Sequence, residues 1–206
     1  MPTAFLLSPA RTGGIRAQML LRPSAGFDLA VRLRSTGASL GEVFSFASGL
    51  YFRGKIAYAR KFARQLDLIR VITTDRGLLD PEQVIQVEDL NAFAQVGIDP
   101  AEERYIRPLR RDAKLVKTQI GSGGKAVLLG SIATGKYLEV LLEVFGEQLV
   151  FPVDFVVRGD MSRGALMLRA AREGRTLGYR QIKGAVLQGR RAGGFRAVRL
   201  GKREAQ

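Results

Sequence analysis

Short apolar runs alternate with longer stretches of helical periodicity along most of this chain, and that alternation limits the fold more than any other feature. The runs "TAFLLSP", "DLIRVITT", "AVLL" (126–129), "EQLVFP" and "RTLGYRQI" read as strands, several rich in β-branched residues and closed by proline. Between them, "SAGFDLAVRLRSTG", "YFRGKIAYARKFARQL", "VEDLNAFAQVG", "DPAEERYIRPLRRDAKLVKTQI", "TGKYLEVLLEVFG" and "SRGALMLRAAREG" read as helices. Ser24 and Ser162 stand where helix caps would be, and Gly37 and Gly174 where helices would stop. Pro108 is expected to kink or divide its helix. Strands alternating with helices predict an α/β domain, with a largely parallel or mixed central sheet covered by helices on both faces.

A glycine-rich turn at 121–124 is the best candidate boundary. The elements on either side are too few to bury separate cores, so one α/β domain over 1–183 is expected, followed by a basic Gly/Arg-rich tail over 184–206.

The clearest helix is the one carrying Phe52, Ile56, Ala59, Ala63 and Leu66 at spacings of three and four. Its lysines and arginines, Lys55, Arg60, Lys61 and Arg64, read as the solvated side. Gly54 weakens the first turn or admits a close neighbour.

The chain has 206 residues, with no cysteine and no histidine. Disulfides and Ser-His-Asp or Cys-His catalysis are excluded within it, and a zinc site lacks its usual ligands. A general base would have to be Asp, Glu, Lys, Tyr or an activated water. No cofactor is expected. No apolar run approaches the length of a membrane span, and the first residues lack the basic segment of a secretory leader, so a cytoplasmic protein is expected.

The formal net charge is +14. Residues 158–206 carry 13 Lys/Arg against 3 Asp/Glu, while residues 1–157 carry 20 against 16. Such a basic block attracts polyanions by releasing their counterions, which points to nucleic acid or a nucleotide.

In open α/β sheets, ligands bind beyond the carboxyl ends of the strands. Four segments fall at such ends: "SPARTGG", "TTDRGLLDPE", "GSIATGKY" and "DFVVRGDMSRG". In the third, Ser131, Thr134 and Lys136 would hold a phosphate at a helix start. It approaches a P-loop but has Tyr137 where that motif needs Ser or Thr. In the fourth, Asp160 would orient Arg158 or Arg163 and leave the other for a phosphate; a plain Asp–Arg turn is the alternative. Phe46 and Tyr51, among the aromatics of "FSFASGLYFRGK", are candidates for base stacking, or else part of the core.

Four segments in order resemble the YaaA family of peroxide-stress resistance proteins. "FLLSPART" is similar to its "LLSPAKT" opening, with Arg11 in place of lysine. "ASGLYFRGKIAYA" resembles its stretch with a glycine among aromatics. "VITTDRGLLDPEQVI" resembles its "GLL-P" segment through Gly77, Leu78, Leu79 and Pro81, with Arg76 where the family has tyrosine. "AVLLGSIATGKY" resembles its "NLASxEYxK" segment. The resemblance spans most of residues 4–155 and implies an α/β fold with a positive cleft, DNA binding and a role in oxidative DNA damage.

Together these features predict a DNA-binding protein with a basic cleft, serving DNA repair or oxidative-stress protection. Arg11, Arg53, Lys55, Arg76, Ser131, Thr134, Lys136, Arg158 and Arg163 are its expected phosphate-facing residues. The alternative is an enzyme acting on a nucleobase or nucleotide, such as N-glycoside hydrolysis, with Asp160 or Asp75 as the working carboxylate. A basic RNA- or ribosome-associated protein without a cleft is the third reading.

Overall fold

The computed structural model describes residues 1–64, 68–132, 136–156 and 158–183. Its elements run β1 (Thr3–Leu7), α1 (Ile15–Leu21), α2 (Asp28–Arg34), β2 (Ala38–Ser39), α3 (Leu40–Ser48), α4 (Leu50–Phe62), β3 (Ile69–Ile72), β4 (Leu78–Leu79), β5 (Val84–Ile85) and α5 (Val87–Gln95). They continue with α6 (Glu103–Ile120), β6 (Lys125–Leu129), α7 (Leu138–Phe145), β7 (Leu149–Pro152), α8 (Asp160–Glu173) and β8 (Tyr179–Gln181). Two single 3-10 turns flank β7. The tail over 184–206 lies outside the described residues.

Six strands form one sheet in the order β4-β3-β1-β6-β7-β8. The middle four are parallel, and the short edge strands β4 and β8 run antiparallel. A separate antiparallel pair joins β2 to β5. The central strands are apolar on both faces because helices cover both. Phe5, Leu7, Val127 and Leu129 point into a core shared with α1–α4 and α8. Ala4, Leu6, Ala126 and Leu128 point into a second core shared with α6 and α7. The result is a three-layer α/β domain. Ile120 and Ala126 lie in that second core, so the turn at 121–124 joins neighbours within one body.

Three sequence expectations shift. Helix α6 stays continuous through Pro108, burying Tyr105, Ile106, Leu109, Ala113, Val116 and Ile120 at helical spacing. Helix α2 starts at Asp28 after Phe27, so Ser24 is not its cap. Helix α8 starts at Asp160 with Gly159 as its N-cap, which puts Ser162 inside the first turn.

Helices α4 and α8 meet through glycine. A Cβ on Gly54 would stand 2.5 Å from the Gly164 oxygen, and one on Gly164 would stand 2.7 Å from the Leu50 oxygen. Only hydrogen on both Cα atoms permits this backbone contact. It brings Gly164, just past the first turn of α8, against the N-terminal half of α4 from Leu50 to Gly54.

Candidate functional site

Because β1, β3, β6 and β7 are parallel, the segments that follow them open on one edge of the sheet. From β1 the chain passes to β3 on one side, then crosses to β6 on the other. The strand order therefore reverses between β1 and β6, the crevice where such sheets bind ligands. Ser8 ends β1 there, its N–H donating to the Leu129 carbonyl at 3.2 Å.

Above this junction lies Lys55. It sits three residues after Phe52 and four before Ala59, in the buried stripe of α4, and is only 1% exposed. Its Nζ donates to the Ser8 carbonyl at 3.0 Å and to Ser8 Oγ at 2.6 Å. The Tyr51 ring centroid is 4.0 Å away. Among the described residues no carboxylate reaches it. Burial pushes its pKa down to about 7; Asp160 opposes this through its charge and Arg163 adds to it. Lys55 is therefore corrected from a solvent-facing phosphate ligand to an interior amine.

Three more groups close around the pair. Tyr51 is buried, so it offers no open stacking face, and among the described residues its hydroxyl meets no hydrogen-bond geometry. Burial raises its pKa, while the Arg163 charge favours the ionised form. The Tyr137 hydroxyl donates to the Ser131 carbonyl at 2.9 Å. Gly130 leaves room between them: a Cβ there would lie 2.7 Å from the Tyr137 oxygen and 2.8 Å from Ser8 Cβ. Arg163 is half-buried, donates twice to the Phe155 carbonyl at 3.1 and 3.0 Å, and stands 3.6 Å from Asp160.

The outer surface of this edge is cationic. Arg11 follows β1, Arg53 lies in the first turn of α4, and Lys136 follows β6; all three are exposed and unpaired among the described residues. Arg16, which rests against Gly49, is likewise exposed and unpaired. Arg158 is exposed, and among the described residues its guanidinium bonds Ser162 Oγ alone, at 3.3 Å. Asp160 is exposed beside Arg163. Thr134 lies outside the described residues.

The other expected residues fall elsewhere or are occupied. Arg76 is held by Asp89 at 2.5 Å and lies over Phe93, so its charge is spent within the protein. The Phe46 ring is half-buried and already stacks on Phe27 at 5.3 Å. Asp75 borders an open groove of about 900 Å³ between α5 and α6, lined also by Glu103, Arg104, Arg107 and Arg111. Glu102 binds Arg104 and Asp112 binds Arg111, so this groove is of mixed sign. Asp75 Oδ1 is buried without a hydrogen-bond partner among the described residues, and burial raises the Asp75 pKa against the pull of Arg76.

Ser8 was missed by sequence reasoning, although it closes the first apolar run directly before Pro9. Lys55 was identified by residue type, whereas its spacing from Phe52 and Ala59 already put it on the buried side.

Fold and site define a three-layer α/β protein with a cationic carboxyl edge over a buried serine–lysine pair. No family model, no curated protein and no solved structure matches the chain.

Proposed function

We propose that this protein binds DNA, or another phosphate-bearing nucleic acid or nucleotide, across the carboxyl edge of its sheet. One observation carries this: Arg11, Arg16, Arg53, Lys136 and Arg158 are exposed there with no carboxylate partner among the described residues. Unpaired cations gain most from phosphate, because each contact releases condensed counterions and no internal ion pair has to break. The net charge of +14 and the ordered resemblance to the YaaA family support the same reading, as they do a role in DNA repair or oxidative-stress protection.

The test is a salt titration of duplex DNA binding. A log–log plot should be linear and steep, and Arg11→Ala with Arg158→Ala should each flatten it by about 0.9 of a unit. Affinity that barely changes with salt would sink the proposal.

A second reading, an enzyme acting on a nucleobase or nucleotide, is favoured by Asp75. A carboxyl with a raised pKa and a bare buried oxygen at the edge of a groove has the features of an acid–base group. Asp160 is exposed and stands 3.6 Å from the Arg163 guanidinium, so it presents no bare buried oxygen. Base release by the wild type that Asp75→Asn abolishes, with DNA binding retained, would establish this reading; no release by either protein would remove it.

A further inference from the structure

We propose that Ser8 is a nucleophile and Lys55 its general base, together forming a phosphoryl-transfer site beneath the cationic edge. The substrate class, a phosphate ester, rests on the phosphate-binding reading of that edge; the serine–lysine pair does not.

The geometry is that of proton transfer. Nζ and Oγ are 2.6 Å apart, within the reach a general base needs. The surroundings suit a free amine better than an ammonium. An ammonium has three N–H donors and seeks an anion. Among the described residues Lys55 finds the two oxygens of Ser8 and the faces of Tyr51 and Phe52, and no carboxylate within ion-pair reach. The groups facing it are Tyr51 and Phe52 from its own helix, Ser8 from β1, and Asp160 and Arg163 acting by charge from α8. The Tyr137 hydroxyl also reaches the Ser8 side chain, beside Gly130. Burial holds the amine near neutrality, so its lone pair is free to accept the Ser8 proton. Activation of a serine by a lysine is an established alternative to the histidine this chain lacks.

The position also fits. Ser8 is at the carboxyl end of β1, at the reversal of strand order, and retains 6% exposure. Arg11 follows it by three residues.

In the proposed step Lys55 takes the Oγ proton as the Oγ–P bond forms and the bond from phosphorus to the leaving alcohol oxygen breaks. The Lys55 ammonium returns that proton to the leaving oxygen. Lys55 then takes a proton from water as the water oxygen bonds to phosphorus and the Oγ–P bond breaks, and the Lys55 ammonium returns that proton to Ser8 Oγ, releasing the phosphate and restoring the pair.

The experiment treats the full chain with a fluorophosphonate probe in the absence of nucleic acid. The probe forms an Oγ–P bond, loses fluoride and leaves the serine proton on Lys55. Peptide mass spectrometry should find the label on Ser8, with a rate that climbs through about pH 7 as the amine becomes free. Ser8→Ala should abolish the label. Lys55→Met and Lys55→Arg should each slow it about a hundredfold or more, the second because it keeps the charge but has no base. No label on Ser8 of the folded wild type between about pH 6 and 9 would overturn the proposal. So would labelling whose rate ignores pH over that range, a measurement that stands even if the Lys55 variants fail to fold. A flat DNA salt titration would count against the edge alone, and absent labelling against the pair alone.

Discussion

Gly164→Ala should destabilise this protein, although alanine is the better helix former. In a solvent-facing helix the exchange would gain about 1 kcal/mol. Here the new Cβ would lie 2.7 Å from the Leu50 oxygen and 2.9 Å from Tyr51 Cα. Ordinary contact begins at 3.4 Å, so α4 and α8 would have to part by about 0.7 Å. All the clashing atoms are backbone, so no rotamer change relieves them. Overpacking of this kind costs about 1–3 kcal/mol, and a clash of rigid backbones belongs at or above the upper end. The net loss should be about 2 kcal/mol, which lowers Tm by about 4–8 °C for a chain of this size. Urea denaturation at constant m would measure it. Gly123→Ala, with nothing within 4 Å of the added carbon, is the control and should stay within about 0.5 kcal/mol of wild type. A Gly164→Ala protein as stable as wild type would refute the argument that the two backbones touch. Tyr51 and Lys55 ride on the displaced helix, so fluorophosphonate labelling of Ser8 should fall in the same variant.

Arg163→Ala should cost about 1–3 kcal/mol, because the half-buried guanidinium donates twice to the Phe155 carbonyl, which would lose both bonds. Thermal unfolding indistinguishable from wild type would show the bonds to be dispensable. Stability should also respond to pH through Lys55. Its pKa is about 7 in the fold against the ordinary 10.5, so between those values the unfolded chain binds a proton that the folded chain does not. Stability should therefore rise with pH across that window, by up to about 1.4 kcal/mol per pH unit, and the rise should vanish in Lys55→Met. Equal slopes for the two proteins between about pH 7 and 9 in chemical denaturation would mean that Lys55 stays charged in the fold.

What was legible in the sequence was periodicity. "AFLL" (4–7) and "AVLL" (126–129) are apolar at every position, which only strands covered on both faces require, and they became the two central parallel strands. Tertiary contacts were not legible. Lys55 carries a charge at a buried helical position, and residue type outweighed spacing in placing it. Arg163 looked like a free cation because Phe155 is eight residues away, with nothing local to mark its carbonyl as a partner. Arg76 was offered to a ligand because its neutralising carboxylate, Asp89, arrives from the following helix. The four segments do follow β1, β3, β6 and β7 at the carboxyl edge of the parallel strands, because that edge follows from strand direction, and direction follows from the intervening helices.

The edges of the sheet bear on how this protein would fail. A parallel sheet of four would end on β3 and β7, each with a row of open backbone donors and acceptors beside apolar side chains. The antiparallel β4 and β8 take up those rows with two and three residues, too short to serve as templates themselves. Besides its ladder to β7, strand β8 is held by Tyr58, whose hydroxyl meets that of Tyr179 at 2.5 Å and accepts the Leu177 N–H at 2.9 Å. If that clasp opens, β7 becomes a bare template. Damage on this side of the molecule should then show as self-association of otherwise folded chains, ahead of any loss of the core.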